Sequence, residues 1–380
     1  MWEKLDIRQE EREKIVSKRR SFLSDVWFRF SHKPTAIAGL MVIVLMILFA
    51  ILTPSFTSHT FSSQVLDHVS MAPWLKSIAL DEGEGYIYVN QNLKLIHVNA
   101  DGTLGQTLTR LDEDDINKVN TYAFDEETLQ LKYGGGSQTV VFEDGREFSD
   151  VVKVKNKTYL LGTDTLGRDI LTRLAHGTRI SLLVAFLATA VNMIIGILYG
   201  GIAGYKGGNV DGVMMRIVDI ISAIPLTLYV ILIMVIVENG MTSIIIALSS
   251  VYWVNMARVV RGQILSLKEQ EFISAALTIG SSPKTILMRH LIPNSMGPIL
   301  VTATMLIPQA IFMEAFLSYL GLGVQPPMAS LGTMCNDATE MLRSAPYQLF
   351  LPAAMICLIM FAFNFVGDGL RDALDPQLRK

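Results

Sequence analysis

The chain has 380 residues, of which 51% are hydrophobic and 18% are charged, so its charged fraction lies below the roughly 25% of soluble domains. The net charge of -3 says little about partners, because the chain has a basic polar region, residues 1–33, and an acidic one, residues 76–158. We expect no nucleic-acid partner. Its two cysteines, Cys335 and Cys357, argue against a disulfide framework or a zinc site.

The chain begins with a basic segment, residues 1–33, followed by an apolar run from Pro34. The positive residues of that segment are Lys14, Lys18, Arg19, Arg20, Arg29 and Lys33. Because no A-x-A cleavage pattern follows the run, we interpret residues 34–53 as an uncleaved membrane span rather than a secretory signal.

Residues 54–159 form a polar region after this span. Within it, residues 76–158 contain short alternating stretches such as "GYIYVN", "LKLIHVN" and "TVVFED", separated by "ADG", "YGGGS" and "EDG". Alternation with turn residues between the stretches predicts a small antiparallel β-domain, with an acidic patch at residues 112–115. A solvated loop is the alternative, but aromatic and β-branched residues are too frequent for disorder.

Five further apolar runs follow, which makes six predicted spans in all. We place them at about 179–204, 216–237, 240–257, 294–315 and 348–366, inside a core of residues 160–380. Lys and Arg concentrate in the connections that would share a side with the basic N-terminus. The pattern predicts both termini in the cytoplasm and the β-insert outside the cell membrane.

Several residues within these spans suggest packing or gating. Pro225 and Pro308 would kink the third and fifth spans, and Arg216 and Asp219, three residues apart, would pair on one helix face. Because Glu238 and Glu314 are placed near outer span ends, no isolated carboxylate is expected at mid-depth, which argues against an ion-driven transporter.

No stretch of the chain resembles an ATP site. "GTDTLGRD", residues 162–169, has glycines five apart but lacks the Lys and Ser/Thr of a phosphate loop. Asp164, Arg168 and Asp169 are expected to tie a turn together by hydrogen bonds. Any uphill transport must therefore draw its energy from a partner.

Residues 266–291 are amphipathic and too polar to cross a bilayer. Phe272, Ile273, Ala276, Leu277 and Gly280 would share one helix face, Gly280 would end that helix, and Ser281 or Ser282 with Pro283 would start another. This second helix, 284–291, would stop at Pro293 before the next span. The pair would either fit a groove in a soluble subunit or rest on lipid headgroups.

At "SAALTIGSSPKTILMRHLIPN" the chain resembles the coupling loop of permease subunits of bacterial ABC importers, and more narrowly the C-type subunit of oligopeptide and dipeptide importers. Four other stretches support this: "LGTDTLGRDILTRLAHGTRISL", "GYKGGNVDGVMMRIVDIISAIP", "EAFLSYLGLGVQPP" and "FNFVGDGLRDALDPQLRK". The resemblance is loose over residues 1–74 and close over 160–380.

The resemblance implies an all-α polytopic membrane protein with six transmembrane helices in the type I ABC importer permease fold, here with an inserted extracellular β-domain. It implies a second homologous permease, two cytoplasmic ATPases that carry ATP and Mg, and an extracellular or periplasmic peptide-binding protein. This chain would be neither an enzyme nor a cofactor carrier. The residues that would couple to the ATPases are Glu271, Ser274, Ala275, Ala276, Gly280 and Pro293; Ser274 replaces the Glu of the family motif.

Three other functions stay open on the sequence. A related importer of nickel or glutathione would have the same spans, and a membrane-anchored sensor would explain the β-insert but not six spans. An ion-driven transporter is the third. The family pattern does not explain the insert, for which we hypothesise contact with the binding protein or the partner permease.

Overall fold

The computed structural model describes residues 22–80, 85–124, 127–134, 137–142, 144–148, 150–237 and 240–374. The basic residues before position 22, Glu238, Arg379 and Lys380 lie outside these ranges. The helices are α1 (Phe22–Ser31), α2 (Pro34–Phe56), α3 (Ile170–Lys206), α4 (Gly208–Ala223), α5 (Leu226–Val237), α6 (Met241–Lys268), α7 (Glu271–Thr278), α8 (Pro283–Thr285), α9 (Ile292–Leu317), α10 (Leu331–Asp337) and α11 (Tyr347–Leu374). Two π-helical stretches, Ile286–Leu291 and Ser318–Leu322, flank α9.

Among the described residues, five helical stretches are long and apolar enough to cross a membrane. They are Pro34–Phe56, Ile170–Lys206, Met241–Lys268, Pro283–Leu322 and Tyr347–Leu374. The predicted third span is not one straight helix, because α4 and α5 meet at 87°. The number of spans is six if this bent pair is counted as one.

The long helix α3 is the centre of the bundle and packs along α6. Asp169 caps its first turn, since the carboxylate accepts hydrogen bonds from the backbone amides of Leu171 and Thr172. Further along, Gly200 comes so close to α6 that a Cβ atom there would lie 2.2 Å from a backbone oxygen, that of Ala257. Small residues at this spacing let two helix backbones approach each other closely.

The predicted β-region is antiparallel, but it forms two five-stranded sheets. The first has the order β10-β1-β2-β3-β4 and the second β5-β6-β7-β8-β9. The strands are β1 (Trp74–Ala79), β2 (Tyr86–Val89), β3 (Leu95–Val98), β4 (Leu104–Thr107), β5 (Thr109–Asp114), β6 (Val119–Phe124), β7 (Glu127–Gly134), β8 (Ser137–Phe142), β9 (Glu147–Phe148) and β10 (Val151–Lys155). One apolar cluster joins the sheets, with Ile87 and Leu95 from the first and Leu129 and Val140 from the second.

The two chain ends of this β-insert lie side by side. The backbone amide of Asn156 donates to the carbonyl of Pro73 at 3.0 Å. Next to this point Met71 joins the helical core, because its carbonyl accepts from the Tyr347 hydroxyl at 2.8 Å and its amide donates to the Thr163 hydroxyl at 2.8 Å. The insert is therefore attached where α11 begins.

A buried ionic cluster lies beside this attachment. The Asp164 carboxylate contacts Arg168 Nε at 2.6 Å and Arg173 Nε at 3.2 Å, and both guanidinium groups also reach Asp337. Asp164 further accepts the backbone amides of Leu166 and Arg168. The expected hydrogen-bonded turn is thus confirmed, and it also connects the start of α3 to the end of α10.

Candidate functional site

The segment 271–291 contains the helical pair that the sequence predicts. Its first helix, α7, buries Ile273 and Ala276, which are 1% and 8% exposed, among side chains of α6 and α9. Phe272 and Leu277, expected on the same face, are exposed instead. The expected single face is therefore wrong, because residues one position apart on a helix point in different directions.

The turn between the two helices follows the predicted residues. Gly280 has φ +85°, and the amide of Ser281 donates to the carbonyl of Ala276 at 3.0 Å, the pattern of a glycine-terminated helix. Ser282 caps the next helix, since its hydroxyl accepts from the Thr285 amide at 3.2 Å, and Pro283 occupies the first helical position.

Pro293 does not separate the second helix from the span, which corrects the sequence interpretation. Helical structure runs from Pro283 to Leu322 through a π-helical stretch, residues 286–291. A proline ring clashes with the carbonyl four residues earlier in a regular α-helix, and the wider π-turn lies directly before this proline. Asn294 Nδ2 also donates to the His290 carbonyl at 2.7 Å, so a side chain supplies a hydrogen bond there.

The solvent-exposed surface of residues 271–291 is apolar, with basic residues at its edge. Its exposed apolar side chains are Phe272, Leu277, Ile279 and Met288, with Ile279 84% exposed. Lys284 and Arg289 are exposed beside them. Of the predicted coupling residues, Glu271, Ser274, Ala275, Gly280 and Pro293 are exposed, whereas Ala276 is buried against the helical core.

A second site lies where α4 and α5 meet. Ile224 adopts an extended backbone conformation, and Pro225 has no amide proton to continue the α4 hydrogen bonds. The predicted kink at Pro225 is therefore a near-right-angle break. A cavity of about 440 Å³ opens at the break, lined by residues 221–226 and by Tyr252, Asn255 and Arg258 of α6.

Asp219 does not pair with Arg216 as the sequence suggested. Its carboxylate accepts from Arg258 Nη2 at 3.1 Å, and the same nitrogen donates to the Ser222 hydroxyl at 2.9 Å. A second bridge joins the same two helices, because Arg261 contacts both carboxylate oxygens of Asp211 at 2.5 Å. The neighbouring helix α6 supplies both partners, a non-local contact that spacing within α4 cannot reveal.

Glu314, predicted near an outer span end, is enclosed by the helices around it. Its side chain is fully buried, and the hydroxyls of Ser181 and Ser318 each donate to one carboxylate oxygen at 2.8 Å. Its expected position near a span end did not reveal this burial. The serine four residues later was the available signal, since it shares the helix face. Pro308 is buried within α9, and the kink expected there stays a prediction.

Two family models match the chain. One is the binding-protein-dependent transport system inner membrane component, over residues 196–380. The other is the N-terminal TM domain of oligopeptide transport permease C, over residues 21–73. Together they cover both sides of the β-insert.

Curated relatives match over most of the chain. The oligopeptide transport system permease protein OppC of Bacillus subtilis (strain 168) is 39% identical over 97% of this chain and 94% of that protein. The dipeptide transport system permease protein DppC of Lactococcus lactis is 33% identical, over 96% and 93% respectively. DppC of Bacillus subtilis is 50% identical over 58% of this chain and 69% of its own length.

Among solved structures, an inward-facing MetNI methionine ABC transporter aligns with 53% of this chain and 96% of that chain. The sequence identity is 19% and the TM-score 0.46, which is too low to establish a common fold.

Proposed function

Since this chain belongs to the family of oligopeptide and dipeptide ABC transport permeases of the C type, we propose that it forms half of a peptide path through the cell membrane. The bundle would adopt the type I importer arrangement with six spans. A second, homologous permease would supply the other half of the path, and membrane lipid would surround both.

The observation that carries this proposal is that α7 is buried on one side and exposed but apolar on the other. Ile273 anchors the helix to the core, while Phe272, Leu277 and Ile279 stay uncovered. A helix that is fixed on one side and apolar on the other suits the groove of a soluble partner. Resting on headgroups, the alternative, would not require such an anchor.

The partner at this surface would be one of two cytoplasmic ATPases. The ATPases would bind ATP and Mg, and this chain itself would hydrolyse no ATP. Glu271, Ser274, Ala275 and Gly280 would lie at the contact. Ala276 would position α7 from within, and Pro293 would lie where the contact meets the span. Closure of the ATPases would then shift the helical pair and bias the path between two states.

With the 271–291 segment facing cytoplasmic ATPases, both termini would be cytoplasmic and the β-insert would lie outside the membrane. A peptide-binding protein would deliver its cargo on that outer side. Arg216, Asp219, Pro225 and Pro308 would act in helix pairing or gating. Asp219 would do so through Arg258 of α6, 3.1 Å away, and Pro225 through the break between α4 and α5.

Crosslinking in the assembled transporter tests the ATPase contact. In a background with Cys335→Ser and Cys357→Ser, we expect Ile279→Cys, labelled with a benzophenone maleimide, to form photoadducts with an ATPase subunit. Ile116→Cys, at a 93% exposed position of the β-insert, is the matched control and should form none. Equal ATPase adducts from both positions, or none from position 279, would refute the coupling role.

We also propose that the β-insert positions the binding protein. Strand β5 lies at a sheet edge and contains the exposed Asp112 and Glu113, and the exposed Asp115 follows it, so a basic partner surface would fit. Removing residues 74–155 and joining Pro73 to Asn156 exploits their existing 3.0 Å hydrogen bond. We expect weaker binding-protein docking and slower uptake; wild-type values for both would contradict this role.

A further inference from the structure

The break between α4 and α5 exposes backbone hydrogen-bonding groups in the middle of an apolar element. The last carbonyls of a helix and its first amides have no partner within that helix. Here the amide of Ile224 turns back to Ile221 at 3.3 Å, and the first bond of α5 runs from Tyr229 to the Pro225 carbonyl at 3.1 Å. The helix geometry therefore leaves acceptors from the end of α4 and donors from the start of α5 at one corner.

That corner opens on the cavity of about 440 Å³, a volume within the usual range of small-molecule sites. Its wall on the α6 side carries three polar side chains, those of Tyr252, Asn255 and Arg258. Irregular backbone at membrane depth is tolerated where it lines a cavity, and broken helices in transporters commonly place their free ends at a substrate.

The charged side chain that lines the cavity is Arg258, and Asp219 contacts it from outside the lining. Arg258 is held in place by Asp219 and Ser222, with the Arg258 and Asp219 side chains 46% and 57% exposed. The amino-terminal end of α5 adds partial positive charge, and the carboxyl-terminal end of α4 adds partial negative charge. A ligand with a carboxylate and several hydrogen-bonding groups, such as a peptide main chain, matches this arrangement.

We propose that this cavity binds the main chain and the free ends of the peptide in transit, an inference that rests on the proposed function. Arg258 and the start of α5 receive the peptide carboxylate, while the carbonyls at the end of α4 receive its ammonium group. The helix ends and Asn255 pair with peptide amides and carbonyls. These groups are common to all peptides, so such a site accepts peptides whatever their side chains.

A photoaffinity experiment on the complete transporter tests this assignment without the binding protein. The probe is a tripeptide with a central p-benzoylphenylalanine and free ends, used beside its C-terminal amide. We expect labelling within residues 221–226 or 251–258, and competition by trialanine. Labelling elsewhere in this chain, or labelling that trialanine leaves unchanged, would overturn the assignment.

Two matched variants test the role of charge. Arg258→Gln should lower labelling by the free-ended probe about tenfold, the effect of losing one charged hydrogen bond, and should remove the difference from the amide. Arg261→Gln breaks the other bridge between α4 and α6, outside the cavity, and should preserve that difference. If both variants lose it, looser helix packing explains the effect and the proposal fails.

Uptake by the wild-type transporter, with its binding protein, separates the two levels of inference. If the wild-type transporter imports peptides but its label maps away from the break, the cavity assignment fails and the proposed function stands. If it imports no peptide at all, the proposed function fails, and this inference fails with it.

Discussion

The anchoring of α7 can be tested by removing one side chain. Ile273→Ala truncates a residue that is 1% exposed and contacts the cluster formed by α6 and α9. Truncations of this kind cost about 2–5 kcal/mol when the side chain is fully buried. The ratio of docked to undocked α7 should then fall by roughly 30-fold or more, because 1.4 kcal/mol corresponds to a factor of ten.

Little else holds this helix in place. An isolated helix of 8 residues is unstable in water, and α7 has only one other buried residue, Ala276. We expect faster amide hydrogen exchange over residues 271–279 of Ile273→Ala, both in the isolated permease and in the assembled transporter. We also expect more ATP hydrolysed per peptide imported, since a loose helix transmits motion poorly.

The matched control is Leu277→Ala, which removes an apolar side chain of the same helix that is 55% exposed. It should leave the exchange rates of α7 in the isolated permease unchanged and should weaken only its contact with the ATPase. Wild-type exchange over residues 271–279 in Ile273→Ala would refute the anchoring argument. Faster exchange in α11 as well would mean global unfolding instead.

The remaining predictions concern packing, buried charge and pH. Gly200→Ala should destabilise the bundle by at least about 1–3 kcal/mol, since its Cβ would lie 2.2 Å from an α6 backbone oxygen; Gly212→Ala, with open space around it, should lower the thermal unfolding temperature far less. Asp164→Ala should cost about 3–5 kcal/mol in denaturant unfolding by breaking a buried ion pair, whereas Lys132→Ala, which breaks an exposed one, should cost under about 1 kcal/mol. Burial lowers the pKa of His68 below its usual 6.5, so the unfolded chain gains its proton first as the pH falls, and stability should decrease below about pH 6.5. His68→Gln should show a smaller change in unfolding temperature between pH 7.5 and 5.5; an unchanged pH dependence would contradict this.

Local signals in the sequence predicted local structure well. Gly280, Ser282 and Pro283 mark the end of one helix and the start of the next, because each acts through its own backbone or its neighbours. The turn at Asp164 and Arg168 was predictable for the same reason. Alternation with turn residues likewise predicted antiparallel strands, although not their division into two sheets.

What the sequence missed at Asp219 and Glu314 depends on contacts between distant residues. Spacing suggested that Asp219 pairs with Arg216, yet Arg258 approaches from another helix, 39 residues away. The burial of Glu314 likewise depends on Ser181 of α3, whereas its position near a span end stays a prediction. At Pro293 the local rule for proline was outweighed by the π-turn before it and by packing along the whole helix.

The helical run from Pro283 to Leu317 has a mechanical consequence. The part of this run from Pro283 to Glu314 is about 48 Å long at 1.5 Å per residue, so one helical run connects the 271–291 segment to the buried serines around Glu314. A displacement at one end of this helical run would therefore be transmitted to the other end. Each of the three prolines in α9, Pro293, Pro298 and Pro308, lacks a backbone amide proton. The helix would therefore bend at these positions under load without unfolding.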